Sequence, residues 1–354
     1  MTNAKRVLTK GNEAVCMGAI KSGCLYYFGY PITPQNEIPE YMSRTLPGIG
    51  GEFVQAESEL AAINMVLGAS ALGVRSMATS SSPGISLMQE GISYMAGQEL
   101  PAVVVNIVRC GPGLGGIAAS QGDYFQAVKG WGHGDYRPIV LAPAGVQEMY
   151  DLTMLAFDLA DRYRNPVMVL GDAVLGQMLE PIVEGDEAPP KPSKPWALTG
   201  AEGRPRRFIK SLYLKEGELE AHNRKLQEKY EEIRQNETRS EEVQVEDAEL
   251  VVAAFGTSAR IARSAVKKAR AKGLKVGLLR PITVFPFPSQ RFAQLSEKAR
   301  EFLVVEMNTG QMVEDVRLAV EGRTPVHFYG RPGGGIPTPL EILGEIEKRY
   351  QSEG

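Results

Sequence analysis

The sequence predicts an α/β protein built around parallel sheets in two domains, and three observations carry that expectation. Several short runs are apolar at nearly every position: Pro101-Ala102-Val103-Val104-Val105-Asn106-Ile107-Val108, Ile139-Val140-Leu141-Ala142 and Pro166-Val167-Met168-Val169-Leu170-Gly171. Strands apolar on both faces belong in a parallel sheet covered by helices. These runs alternate with helical segments such as Val146 to Tyr163, which is the order of an α/β fold. The chain has 354 residues, 43% of them hydrophobic and 23% charged, a globular composition too long for one average domain.

The first region, residues 1–186, opens with a helix from Gly11-Asn12-Glu13. Ala14, Val15, Met17, Gly18 and Ala19 suit close packing, and Gly23 ends the helix. The apolar run Leu25-Tyr26-Tyr27-Phe28 reads as a strand, Leu60 to Ala71 as an Ala-rich helix and Arg75 to Ala78 as a short strand. A middle region, 187–247, begins with the linker Ala-Pro-Pro-Lys-Pro-Ser-Lys-Pro. A charged helix follows, with Leu219, His222, Leu226, Tyr230 and Ile233 at three- and four-residue steps. That narrow stripe packs on something while the rest faces water. The last region, 248–354, alternates again: Leu250 to Phe255 leads through Gly256-Thr257-Ser258 into a helix over Ile261 to Ala271. Val276-Gly277-Leu278-Leu279, Phe302 to Val305 and Val326 to Tyr329 are further strands of this smaller α/β domain.

A net charge of −3 leaves no basic footprint for nucleic acid or anionic membrane. No run of about 20 apolar residues could span a bilayer, and Met1 to Arg6 has no apolar signal core, which points to the cytoplasm. Cys16, Cys24 and Cys110 form neither a disulfide framework nor a Cys-x-x-Cys site. Cys16 and Cys24 read as packed small hydrophobes, and no iron–sulfur cluster is expected on this chain.

Four stretches carry candidate chemistry. Gly29-Tyr30-Pro31-Ile32-Thr33-Pro34 stops a strand abruptly. Pro34 suits the first turn of a helix, making Thr33 an N-cap whose hydroxyl sits at a positively polarised terminus that can receive an anion. An ordinary strand-to-helix turn explains the same residues. Glu57 and Glu59 precede the Ala-rich helix, either as functional carboxylates or as helix-start acids favoured by the dipole. Ser80-Ser81-Ser82-Pro83-Gly84 offers hydroxyls and amides that either cap a helix or line a cleft. Arg109 ends an apolar strand, where open α/β sheets bind ligands, and a guanidinium can fork both oxygens of a carboxylate; a surface salt bridge is the alternative.

The glycines from Gly111 to Gly116 lack the spacing and distal acid of a dinucleotide fingerprint and read as flexible backbone near a substrate. Other features read as structural: Gly330-Arg331-Pro332-Gly333-Gly334-Gly335 lacks the Lys-Ser/Thr of a P-loop and reads as a turn. His222 is expected to pack on its helix, and His133 has no accompanying nucleophile motif.

Taken together, Gly29 to Pro34, Gln55-Ala56-Glu57-Ser58-Glu59-Leu60-Ala61-Ala62 and the run from Ser80 through Gln89-Glu90-Gly91 resemble the alpha subunit of the 2-oxoacid:ferredoxin oxidoreductases. The similarity runs from about Lys10 to the C-terminus and is strongest to the 2-ketoisovalerate, or branched-chain, type. The resemblance implies a thiamine-diphosphate-enzyme pyrimidine-type domain followed by a transketolase C-terminal-like domain. It also implies oxidative decarboxylation of a 2-oxoacid with coenzyme A, giving acyl-CoA, CO₂ and reduced ferredoxin. Gly-Asp at Gly122, Gly134, Gly171 and Gly185 never continues to the third glycine of a diphosphate motif. Thiamine diphosphate is therefore expected to be shared with a beta subunit, with Mg²⁺ and iron–sulfur clusters on partner subunits. Gamma and ferredoxin-like delta subunits are the further partners implied.

The resemblance assigns the pyrimidine-binding, catalytic carboxylate to Glu59, nine residues before Gly68-Ala69. It assigns substrate carboxylate binding to Arg109 and Thr33, and cofactor contacts to Ser81 and Ser82. A 2-oxoglutarate type, or a non-catalytic scaffold subunit, is the rival reading.

Overall fold

A computed structural model describes residues 6–185 and 192–351. The signal-sequence reading of residues 1–5 and the linker positions 187–191 lie outside the described residues. In chain order the elements are β1 (Arg6–Lys10), α1 (Gly11–Lys21), β2 (Tyr26–Gly29), α2 (Glu37–Thr45), β3 (Glu52–Gln55), α3 (Glu59–Ala71), β4 (Ser76–Ser80), α4 (Pro83–Gly97) and β5 (Ala102–Val108). There follow α5 (Tyr124–Val128), β6 (Ile139–Leu141), α6 (Val146–Tyr163), β7 (Pro166–Asp172), α7 (Ala173–Gln177), β8 (Leu179–Val183) and α8 (Glu218–Glu237). The chain ends with β9 (Ser240–Val243), β10 (Leu250–Ala253), α9 (Gly256–Ala271), β11 (Val276–Pro281), β12 (Thr283–Phe285), α10 (Ser289–Ser296), β13 (Glu301–Glu306), α11 (Met312–Val320), β14 (Val326–Gly330) and α12 (Pro339–Gln351).

The runs that are apolar on both faces form the middle of a seven-stranded sheet of order β12-β6-β7-β5-β4-β2-β3. Six strands are parallel, and β12 joins antiparallel on β6. Every residue of β5 and β7 is buried, as the absence of polar alternation requires. Helices α1, α2 and α6 pack together, as do α3 and α4, so that the sheet is covered on both faces. Gly18 lets α1 and α6 approach closely, because a Cβ there would lie 2.5 Å from the Tyr150 carbonyl oxygen.

A second sheet of order β14-β13-β10-β11-β9 is parallel except for β9. Sheet membership crosses the regions read from composition. β9, from the middle region, edges the second sheet, and β12, from the last, edges the first. The ribbon β1–β8 and the edge strand β3 carry too few buried apolar side chains to announce themselves in the sequence.

Thr33 does not cap a helix. α2 begins at Glu37, with Asn36 at the N-cap position. The Pro34 carbonyl instead accepts from Asn12 Nδ2 at 2.9 Å and Gln177 Nε2 at 3.2 Å. The same two amides donate to Glu37, so that long-range partners hold the chain out of a helix for three more residues. On α8 the stripe is buried at Leu226, Tyr230 and Ile233, but Leu219 is 48% exposed. His222 packs as expected, its Nε2 2.8 Å from the Gly97 carbonyl and its ring stacked on Tyr213. Cys16 and Cys24 lie in the core, where burial pushes the Cys24 thiol up to about 12.

Strand order places the site. From β2 the chain moves outward to β3 and then returns to the other side of β2 as β4. Open α/β sheets hold their ligands in the crevice beyond the carboxyl ends of strands at such a reversal.

Candidate active site

The segments leaving β3, β2, β4 and β5 meet at that carboxyl edge, and they carry Glu59, Thr33, Ser80–Ser82 and Arg109. Glu59 is the first residue of α3, where Ser58 accepts the Ala61 amide at 3.2 Å as N-cap. The two candidate carboxylates separate sharply. Glu57 is exposed, whereas Glu59 is only 4% exposed. Glu59 Oε1 accepts from Ser80 Oγ at 3.0 Å, and Oε2 has no donor among the described residues.

Sequence reasoning missed the residue that shapes this carboxylate's seat. A Cβ on Gly84 would lie 2.0 Å from Ser80 Oγ and 2.3 Å from Glu59 Oε1. The glycine that follows Pro83 thus leaves room for the acid. Ser81 Oγ, next to Ser80 in the chain, is buried without a hydrogen-bond partner among the described residues.

Arg109 is 7% exposed, and among the described residues no carboxylate pairs with it, which sets aside the surface salt bridge. Its Nη1 donates to the Thr33 carbonyl at 3.0 Å and its Nη2 to the Leu114 carbonyl at 3.2 Å, while Nε is buried and has no partner among the described residues. Two of the five N–H donors of a guanidinium are thereby used. The guanidinium reaches one other expected residue, Thr33, and does so through its main chain. The Thr33 hydroxyl accepts from Asn36 Nδ2 at 3.4 Å.

Ser82 faces the arginine's backbone. Its Oγ donates to the Arg109 carbonyl and accepts the Arg109 amide, both at 3.1 Å. Its own amide donates to Asn106 Oδ1 at 3.1 Å, and Asn106 Nδ2 donates to Asp123 at 2.9 Å. Burial pushes the Asp123 carboxyl above the usual range. Asn106 is a lone polar residue in the apolar run of β5, fully buried; that interruption was the signal available in the sequence. The apolar neighbours Tyr30, Leu60, Leu114 and Ile117 are 38%, 44%, 82% and 66% exposed.

Residues away from this edge do not join it. The His133 carbonyl accepts from Ser93, and its ring meets Tyr94 edge-on. A cleft of about 930 Å³, lined by Lys129, Arg234, Phe285 and Arg291 among others, contains none of the expected site residues. Gly334 packs against Ala118 and Cys110, so the glycine turn of the second domain abuts the loop that follows Arg109. No helix of the described residues is long and apolar enough to cross a membrane.

Comparison with known proteins gives this edge a context. Residues 17–249 match the family model described as pyruvate flavodoxin/ferredoxin oxidoreductase, thiamine diphosphate-binding, and residues 248–342 match pyruvate:ferredoxin oxidoreductase core domain II. The ketoisovalerate oxidoreductase subunit VorB of Methanothermobacter thermautotrophicus is 55% identical over 96% of this chain and 97% of that protein. The 2-oxoglutarate synthase subunit KorA of the same organism is 40% identical over 96% of this chain and 97% of its own length. A structure of 2-oxoglutarate:ferredoxin oxidoreductase from Magnetococcus marinus, with 2-oxoglutarate, coenzyme A and succinyl-CoA bound, superposes with a TM-score of 0.86 at 28% identity, covering 99% of this chain and 66% of that one. A split-gene transketolase shares the fold at a TM-score of 0.58 and 12% identity, over 96% of both chains. The chain therefore belongs to the 2-oxoacid:ferredoxin oxidoreductases, as a subunit of the alpha type.

Proposed function

We propose that this chain is the alpha subunit of a complex that oxidatively decarboxylates a branched-chain 2-oxoacid with coenzyme A and passes the electrons to ferredoxin. One observation carries the reading: the three consecutive serines Ser80–Ser82 bind a buried glutamate at one end and the backbone of a buried, carboxylate-free arginine at the other. The branched-chain preference rests on the greater identity to the ketoisovalerate subunit, 55% against 40% for the 2-oxoglutarate one.

The donor set suits the aminopyrimidine half of thiamine diphosphate. Among the described residues Glu59 keeps a carboxylate oxygen without a donor, and Ser81 Oγ and Arg109 Nε are buried and unpartnered. When bound, that cofactor supplies the stabilised carbanion such decarboxylation needs. Glu59 would hold a proton at the ring nitrogen as general acid–base partner. Ser80 fixes the orientation of its carboxylate, and Arg109 would grip the substrate carboxylate through its uncommitted N–H groups. The diphosphate motif, Mg²⁺ and iron–sulfur clusters belong on partner subunits in this reading. A beta subunit would cover the exposed Tyr30, Leu60, Leu114 and Ile117, with gamma and delta subunits completing the complex in the cytoplasm.

Substrate profiling of the co-purified complex tests the proposal. Ferredoxin reduction should be CoA-dependent and faster, in kcat/KM, with 3-methyl-2-oxobutanoate than with 2-oxoglutarate or pyruvate. A clear preference for 2-oxoglutarate overturns the branched-chain assignment, and no CoA-dependent reduction with any 2-oxoacid overturns the whole reading.

A further inference from the structure

We propose that Asp123 is a positioning residue for Arg109, acting through Asn106 and Ser82 and held in place by the second domain. The proposal rests on Arg109 being the residue that grips the 2-oxoacid carboxylate.

The connection starts with an amide that has two possible orientations. Asn106 is fully buried on β5. Its Nδ2 donates to Asp123 Oδ2 at 2.9 Å, and its Oδ1 accepts the Ser82 amide at 3.1 Å. A carboxylate oxygen is an acceptor, and with Asn106 Nδ2 donating to Asp123 the amide turns Oδ1 toward Ser82. The reverse orientation would set an NH₂ group against the Ser82 N–H and an oxygen against the carboxylate.

Ser82 depends on that bond. Its backbone has φ +32° and ψ −82°, a region that non-glycine residues seldom occupy. Such a conformation persists only where its surroundings impose it. From it the Ser82 hydroxyl makes a reciprocal pair of hydrogen bonds with the amide and carbonyl of Arg109, both 3.1 Å. The backbone from which the guanidinium extends is therefore set by Ser82, Ser82 by Asn106, and Asn106 by Asp123.

Asp123 is itself set from outside the first sheet. Gln121, two residues earlier, receives Ser258 Oγ at 2.7 Å and the Met307 amide at 3.0 Å, and donates to the Phe255 carbonyl at 2.8 Å. Gln311 Nε2 donates to the Gly122 carbonyl at 2.7 Å, and the Phe125 amide donates to Gln311 Oε1 at 2.7 Å. The second domain thus grips the chain on both sides of Asp123, giving that domain a part in substrate binding although none of the expected site residues lies in it.

The test uses the assembled complex, with steady-state kinetics in the 2-oxoacid and hydrogen exchange read together. Asp123→Ala should raise KM for the 2-oxoacid by about tenfold, the scale of one lost hydrogen bond, and leave KM for coenzyme A unchanged. Asp123→Asn can still accept from Asn106 but, able to donate as well, no longer excludes the reversed amide, and should recover only part of that loss. Exchange should quicken in residues 80–84 and 107–111 of Asp123→Ala while the remainder of α4 stays protected. Asn106→Ser, too short to span the gap, should show the same pattern and serves if Asp123→Ala does not assemble. Arg109→Ala is the reference. If it raises KM while both relay variants bind the 2-oxoacid normally, the positioning role is overturned. If Arg109→Ala itself leaves KM unchanged, the carboxylate-binding reading fails, and the exchange data alone decide whether Asp123 orders this backbone. A lowered melting temperature with unaltered KM and exchange in every relay variant marks Asp123 as a structural residue only.

Discussion

Replacing Gly84 with alanine adds one methyl group where the structure has room for none. The new Cβ would lie 2.3 Å from Glu59 Oε1 and 2.0 Å from Ser80 Oγ, against 3.4 Å for ordinary contact. To relieve the overlap the carboxylate oxygen must retreat by roughly 1 Å. Both atoms are the ends of rotatable side chains, so the conflict is resolved by moving them, with the helix left in place. Stability should change little. Overpacking costs about 1–3 kcal/mol, while alanine in a helix gains roughly 1 kcal/mol over glycine, leaving a net loss of about 0–2 kcal/mol. Activity should suffer far more, since a misplacement of about 1 Å in a catalytic group can cost on the order of 10²-fold. The assay is 2-oxoacid- and CoA-dependent reduction of ferredoxin by the co-purified complex, beside its thermal melt. A fall in kcat near 10²-fold with a Tm within a few degrees of wild type is expected. Wild-type kcat in a folded Gly84→Ala complex would refute the idea that Glu59 must occupy this seat.

Three further outcomes follow from the same geometry. Glu59→Gln should lower the rate by about 10²–10⁴-fold, the range of general acid–base catalysis, whereas Glu57→Gln on the exposed neighbour should remain near wild type; the opposite ranking in the same assay would move the role by two residues. Arg109→Ala should reduce kcat/KM for the 2-oxoacid by about 10- to 100-fold or more, and Arg109→Lys should restore only part. Thr33→Val keeps the carbonyl that the arginine uses and should cost less, about tenfold at most. Burial pushes the Lys229 ammonium down to about 8, against the pull of Glu99. An unfolded lysine keeps its proton to about pH 10.4. Between about pH 8 and 10 the unfolded chain therefore binds more protons than the folded one, and this group's contribution to stability rises with pH. The melting temperature of wild type should gain on that of Lys229→Met as pH climbs through this window; a constant difference would count against it.

The strands that build the site were legible because burial on both faces leaves an unbroken apolar run, as in β5 and β7. β3 was not, since its four residues are exposed or half-buried at the sheet edge. The helix after Pro34 was placed three residues early, because turn chemistry is local while Asn12 and Gln177, which hold the Pro34 carbonyl, come from α1 and α7. Glu59, Arg109 and Thr33 were all nameable from motifs, and the structure brings them to one edge. How they are held was not nameable. The bonds from Ser80 to Glu59 and from Ser82 to Arg109 depend on the order of strands, which single residues do not encode. Gly84 stood only as the end of the Ser80–Gly84 run, and Asn106 only as one residue of an apolar strand.

The crossing of strands between the two sheets has a consequence for motion. The run from Val276 to Phe285 supplies β11 to the second sheet and, after Ile282, β12 to the first. Thr283 and Phe285 pair with Leu141 and Val140, while the Ala142 amide donates to the Ile282 carbonyl at 2.8 Å. One stretch of backbone is thus stitched into both lobes with a single residue between, leaving no slack for a pivot. Hinge closure needs a few residues free to absorb a change in φ and ψ, and here they are committed to ladders. The two lobes should travel as one rigid body, so substrate and product cannot come and go by the chain opening like a clamshell. Any gate on this site has to be sought in the loop after Arg109.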